Sequence, residues 1–455
     1  MRVLLCSTYE LGHQPLGLAS PASELLAAGH EVRVRDLSLD ALDPADVAWA
    51  DRVAISVPMH TARRLAADVA RDLTRRRPDL PIAFYGLYAT VATDEARTAG
   101  ASAFIAGEYE DALVDWVADA GPVETVETGR RRHRIPVRAD LAPLDRYARL
   151  AIAGEERPAG YVEASRGCRH RCRHCPLPTV YDGRYRIVAR DVVVADALAQ
   201  VERGARHLTF GDPDFLNGPA HAVRVLEAVA AAAPDVTMDV TVKVEHLLAH
   251  RDLLGAMADA GVVFVVSAFE HVDDAILEIL DKGHTAADMA EAVDLVRAAG
   301  MEIRPTWLPF TPWTTRRRLA DLVRFIGDHD LWGATDPVQL TIRLLLPDGS
   351  LLADHPAMVP HLVGDDPLAL GSAWVHPDPG LDELAARLAE LADEATGEGL
   401  CDRDVLALVV DAIAEATGEV LPSVPDQIEG IGLTESWFCC AEPTSAQVSL
   451  LGVDG

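Results

Sequence analysis

Three closely spaced cysteines constrain this chain more than any other feature. Cys168, Cys172 and Cys175 stand three and then two residues apart, directly after the short apolar stretch Tyr161-Val162. Thiolates packed this closely in one loop can converge on one metal centre, and cysteine ligation is how proteins hold iron–sulfur clusters. Four thiolates would complete a cubane, so three leave one iron open to a small molecule. A zinc site is the alternative, with His170 or His174 as its fourth ligand. A disulfide is disfavoured, because Met1–Cys6 reads as a first strand and not as a secretory signal. Arg166, Arg169, Arg171 and Arg173 would add positive potential around an anionic cluster.

The chain has 455 residues, which predicts two or three domains, each with its own core. A composition of 49% hydrophobic and 25% charged residues is that of an ordinary soluble protein. No apolar run reaches the length of a membrane span. The formal charge of −30 argues against nucleic acid as a partner. Seven cysteines without an export signal point to a reducing cytoplasm.

Residues 1–125 alternate apolar strands (Val3–Leu5, Glu31–Val34, Val53–Val57, Ile82–Tyr85) with helices around Ala22–Ala28, Thr61–Arg75 and Ala92–Ala99. Such alternation implies a doubly wound parallel sheet, with ligands at the carboxyl ends of its strands. His13 and His60 read as ordinary loop residues. Residues 126–154 read as a hairpin and linker, with the arginine run Gly129–Arg134 in a solvated turn. From 155 to 350 the alternation resumes, with six strands at 161–164, His207–Phe210, Asp239–Val244, Val262–Ser267, Glu302–Trp307 and Val338–Leu345. A partial (β/α)6 barrel is the natural closure, with its site at the carboxyl ends of the strands. Residues 351–455 begin with helices over Leu381–Ala395 and Asp404–Thr417 and end in a cysteine-bearing tail. The expected fold class is therefore α/β: a doubly wound sheet, a partial barrel and a small helical C-terminal region.

The C-x3-C-x2-C spacing resembles the radical SAM superfamily signature, and the resemblance extends across the barrel. It implies a [4Fe-4S] cluster on Cys168, Cys172 and Cys175, whose open iron chelates S-adenosylmethionine, and an electron donor such as flavodoxin or ferredoxin. Phe210-Gly211-Asp212 sits where that family packs the methionine moiety. Glu270 and the following Ile279–Thr285 resemble a glutamate-containing stretch of the family, although His271 and Val272 replace its small residues. Lys243, Glu245, Glu270 and Arg343 lie at or near strand ends, as cofactor contacts or as barrel-mouth ion pairs.

The N-terminal half resembles the cobalamin-binding domain that precedes many radical SAM cores. The matching residues are Pro15-Leu16-Gly17, Gly29–Val32 and Gly107–Glu110. The D-x-H-x-x-G segment that supplies a histidine to cobalt elsewhere is absent. Cobalamin is thus a candidate cofactor, and a substrate-shaping domain of the same fold is the alternative.

The tail, Trp437-Phe438-Cys439-Cys440-Ala441-Glu442-Pro443, resembles the radical SAM group named for its Cys/Sec-Cys-Ala-Glu-Pro ending. Adjacent cysteines pair with each other only through a strained ring, so Cys439 and Cys440 are expected to ligate a soft atom or act as thiolates. The expected activity is reductive cleavage of S-adenosylmethionine to functionalise a small molecule, assisted by the tail thiols. Aminocarboxypropyl or methyl transfer to a thiophilic element such as arsenic is one alternative. A non-catalytic metal-binding sensor is another.

Overall fold

The computed structural model describes residues 1–119, 121–366, 370–435 and 444–451. Cys439 and Cys440 lie outside the described residues.

Strands β1 (Arg2–Ser7), β2 (Glu31–Asp36), β3 (Arg52–Ser56), β4 (Ile82–Tyr85), β5 (Ala103–Gly107) and β6 (Val123–Glu127) form one sheet. Its order is β2-β1-β3-β4-β5-β6 and every pairing is parallel, two strands more than the sequence pattern suggested. The inner strands are apolar on both faces because helices cover both. Leu16–Ala27 and Glu110–Asp119 share one core with Val3, Leu5 and Ile105, while His60–Arg76 shares the other with Leu4, Ile55 and Phe84. The strand order reverses between β1 and β3, which places the ligand crevice of such a sheet at their carboxyl ends.

The expected hairpin is displaced. Residues 128–143 form no helix or strand, and the hairpin is made instead by β7 (Arg149–Ile152) and β8 (Glu155–Val162). Ala153 and Gly154, both at positive φ, make its turn. Nor is the arginine run simply solvated. The Arg131 side chain is buried among Glu24, Glu110 and Asp111, at 3.0, 3.0 and 2.7 Å.

After β8 come the short antiparallel strands β9 (Ser165–Gly167) and β10 (Tyr185–Ile187). The barrel continues through β11 (His207–Phe210), β12 (Thr237–Thr241), β13 (Val262–Glu270) and β14 (Glu302–Trp307), all parallel and in sequence order from β8. The sixth strand expected over Val338–Leu345 does not form. Pro337–Thr341 is a 3-10 turn, followed by an isolated parallel bridge between Phe310 and Arg343. The Gln339 side chain accepts the Trp307 N–H at 3.2 Å, replacing the backbone partner a sixth strand would have offered. The result is a barrel with an open seam.

Helices Pro379–Gly397 and Asp402–Thr417 form as expected and bury Leu381, Leu388, Leu406 and Ile413 in the barrel's outer core. A hairpin of β15 (Leu362–Asp366) and β16 (Gly371–Trp374) precedes them. The chain then returns as a strap. Ile431 O accepts from Arg304 on β14 at 3.0 Å, and β17 (Gly432–Leu433) pairs antiparallel with β7. A Cβ on Gly430 would overlap the Gly333 carbonyl, so the strap lies backbone against backbone. Among the described residues, no helix is long and apolar enough to cross a membrane.

Candidate active site

The cluster loop starts where β8 ends. Asp212, just beyond β11, accepts from Ala164 N at 2.8 Å and from Ser165 Oγ at 2.6 Å, fixing the turn that delivers Cys168. Gly167 adopts φ +73°, and a Cβ there would strike the Tyr181 ring. Cys168 and Cys172 are buried, Cys175 is half-buried, and none forms a disulfide. Burial pushes the Cys175 thiol up to about 12 and raises that of Cys168, with the neighbouring cysteines adding to both. Backbone N–H groups of His170 and Leu177 donate to Cys168 and Cys175, as donors to cluster thiolates would. Three thiols with N–H donors, and the Lys282 ammonium near Cys172 and Cys175, fit a [4Fe-4S] cluster. Of the two histidines read as a possible fourth zinc ligand, His174 meets Glu270 through Nε2 at 3.0 Å and His170 faces His246 at 3.2 Å.

The other expected site residues divide into two groups. Lys243 and Glu245 sit together after β12, Nζ to Oε2 3.4 Å, beside His170 of the cluster loop. Glu270, at φ +66° where β13 slips register against β14, accepts from Lys282 Nζ at 3.1 Å and meets His174. Burial would raise its carboxyl, but Lys282 and His174 hold it well below the usual range. These three residues surround the cluster loop. Phe210 and Asp212 instead support it: Phe210 is buried edge-on against Phe215 at 5.0 Å, and Asp212 is committed to the turn. Arg343 is drawn away from the loop. It pairs with Asp382 at 3.1 Å, donates to Trp374 O and stacks on that indole, because the missing sixth strand leaves it facing the C-terminal region.

Between the two domains lies a cavity of about 220 Å³. One wall comes from the carboxyl ends of the first sheet, with Glu10, Ser56, Gly86 and Gly107; the other comes from Tyr161 and Arg166 at the cluster loop. Burial raises the Glu10 carboxyl to about 8. His13, read from sequence as an ordinary loop residue, lines this cavity against Tyr161 at 4.6 Å, and burial lowers its imidazole to about 4. A lining that mixes glycine backbone and apolar side chains with hydroxyl, carboxylate and guanidinium groups is compatible with an amphipathic macrocycle such as a corrin. Its volume lies below the 300–1,000 Å³ range of ordinary small-molecule sites.

Several residues escaped the sequence reading because their partners are distant in the chain. Asn217 Oδ1 accepts from Arg169 N at 3.1 Å and lies 3.9 Å from Cys168 Sγ. Tyr181, just past the loop, donates to Glu108 at 3.0 Å, and Arg166 pairs with Glu110. Only the Gly107–Glu110 resemblance hinted at the last two acids.

Residues 162–323 match the Radical SAM superfamily model, and residues 2–117 match the B12 binding domain model. The chain therefore carries a radical SAM domain behind a B12-binding domain. An uncharacterized methyltransferase of Pyrococcus horikoshii is 24% identical over 46% of this chain and 43% of its own. Hopanoid C-3 methylase of Methylococcus capsulatus is 22% identical over 67% of this chain and 62% of its own. The chain thus spans roughly half the length of these relatives. Among solved structures, the cobalamin-dependent S-adenosylmethionine radical enzyme OxsB with aqua-cobalamin superposes with a TM-score of 0.61 at 12% identity, over 92% of this chain and 72% of that one. The radical S-adenosylmethionine methyltransferase TsrM of Kitasatospora setae, with cobalamin and a [4Fe-4S] cluster, gives 0.53 at 18% identity, over 72% and 70%. At these identities the likeness is one of fold.

Proposed function

We propose, from a radical SAM domain joined face to face with a B12-binding domain, that this protein reductively cleaves S-adenosylmethionine and functionalises a small molecule in the cleft between them. The carrying observation is that one cavity is walled both by the strand ends of the first sheet and by the cluster loop. When bound, the cluster supplies a single electron to the sulfonium, and cobalamin supplies a transferable methyl group.

The chain's own residues set the stage. Cys168, Cys172 and Cys175 hold the cluster. Lys243, Glu245 and Glu270 bind the polar groups of S-adenosylmethionine at the barrel mouth. Arg166 and Tyr181 fix the loop against the first domain, and Tyr161 and His13 line the cavity with their rings in contact. The tail thiols, Cys439 and Cys440, anchor the substrate or donate a hydrogen atom to it. A flavodoxin- or ferredoxin-like protein delivers the electron. The tail also makes membership of the Cys-Cys-Ala-Glu-Pro group part of this proposal.

The test is product analysis after anaerobic cluster reconstitution, with dithionite and S-adenosylmethionine, with and without hydroxocobalamin and arsenite. Cobalamin-dependent S-adenosylhomocysteine together with 5′-deoxyadenosine supports methylation of an organic substrate. Methylthioadenosine would redirect the reading to aminocarboxypropyl transfer. No cleavage of S-adenosylmethionine by a fully loaded cluster would overturn it.

A further inference from the structure

Three side chains from three different elements meet beside the cluster loop. His170 lies between the first two cluster cysteines, Asp214 in the loop after β11, and His246 in the first turn of the helix after β12. One ligand atom from each can be chosen so that all lie within 4.8 Å of one another.

The details favour a cation over a hydrogen-bond chain. The Asp214 side chain has no exposed surface, and its Oδ2 has no hydrogen bond although it lies 2.7 Å from His246 Nδ1 and 3.8 Å from His170 Nε2. Its Oδ1 receives the Lys243 N–H at a long 3.4 Å. A buried carboxylate left in that state is costly unless a positive charge satisfies it. The Lys243 ammonium is turned to Glu245, at 3.4 Å. Meanwhile the two imidazoles present Nε2 to Nε2 at 3.2 Å, a separation close to that of two ligands on one ion with bonds of about 2.0–2.1 Å. With Nε2 as the ligand atom of His246, the Asp214 carboxylate, now at Nδ1, turns to reach the shared ion. His170 Nδ1 faces Glu245 Oε2 at 3.5 Å, the carboxylate-backed arrangement that orients metal-bound histidines.

We propose that His170, Asp214 and His246 form a second metal site, distinct from the thiolate cluster, for a borderline divalent cation. Two imidazoles and one carboxylate suit Zn²⁺ or Fe²⁺ rather than Mg²⁺ or Ca²⁺. His170 sits within the cluster motif, so occupation puts added positive charge next to the cluster and moves its reduction potential upward.

The experiment uses the full-length protein, anaerobically reconstituted and freed of loose metal, then equilibrated separately with zinc chloride or ferrous salt. Elemental analysis is expected to find one equivalent beyond the cluster iron in one or both arms, and the arm that fills it identifies the cation. Asp214→Asn and His246→Ala are expected to lose that equivalent while keeping the brown cluster absorbance. X-ray absorption at the zinc edge of the unsubstituted protein guards against a variant that merely misfolds. Imidazole and oxygen scattering supports the site, whereas sulfur scattering means that zinc has entered the cysteines and overturns it. Absence of the extra equivalent in both arms, or its retention in Asp214→Asn, overturns it as well. The metal count is independent of S-adenosylmethionine cleavage, so this site and the proposed activity stand or fall separately.

Discussion

Arg166 Nη1 stands 2.7 Å from Glu110 Oε1, with both residues buried, so the chain two positions before the first cluster cysteine is ion-paired to a helix of the other domain. Tyr181 and Glu108 repeat the link on the far side of the loop. The cluster loop is thereby registered against the first sheet before any cofactor arrives.

Glu110→Gln is expected to destabilise the protein by about 3–5 kcal/mol, the usual cost of breaking a buried pair from one side. Burial alone would raise the Glu110 carboxyl, but Arg166, Arg131 and Ser20 hold it at about 2. A depressed carboxyl contributes stability above its ordinary 4.5 that is lost as pH falls toward about 2. Thermal melts across that window should show the loss in the unsubstituted protein and its absence in Glu110→Gln. Parallel pH curves would refute the pairing.

Lys282 is buried, and although burial lowers its pKa, Glu270, Cys172 and Cys175 raise it further. Its ammonium therefore faces the thiols. Lys282→Met should make the cluster midpoint more negative in anaerobic voltammetry. An unchanged midpoint would remove Lys282 from the cluster's field.

Glu10 titrates in the opposite sense from Glu110. Burial raises its carboxyl from 4.5 to about 8, so the folded chain holds a proton that the unfolded chain has released. Stability is then fully present below 4.5 and declines as pH rises through about 8. Glu10→Gln should flatten the decline in melting temperature over that range, and a slope equal to that of the unsubstituted protein would count against burial as the control on Glu10.

Cys172→Ala should abolish the brown absorbance of the reconstituted protein, since two thiolates cannot hold the cubane. Iron content equal to that of the unsubstituted protein would contradict the assignment.

A Cys439→Ala/Cys440→Ala variant should keep S-adenosylmethionine cleavage while product formation falls about tenfold or more, a barrier change of at least about 1.4 kcal/mol. Full turnover would separate the tail from catalysis.

Much of this architecture was legible in the sequence because it is written in local patterns. The strand–helix alternation and the cysteine spacing are short-range features, and both domains follow from them. What was missed depends on contacts far apart in the chain. Val338–Leu345 has the composition of a strand, yet a glutamine side chain took the hydrogen bond its backbone would have made. Arg343 was placed at a strand end, and without that strand it turned to Asp382. Val123–Glu127 alternates half-buried and exposed residues at a sheet edge, so the sequence pattern did not mark it as a strand and its last two residues were read as linker. The partners of Glu110 and Asp214 come from other elements, which no local spacing reveals.

The strap over Ile431–Leu433 has a bearing on how this protein is made. Thr434 N donates to Arg149 O across 285 positions of sequence, and Arg304 reaches Ile431 across 127. During synthesis the strands β7 to β14 emerge well before the strap that pairs with β7. Contacts this non-local slow folding and prolong the exposure of unpaired edges. The cluster loop is therefore synthesised well before the strap that fastens the barrel's first edge, and a chain caught between those two events leaves that edge unpaired.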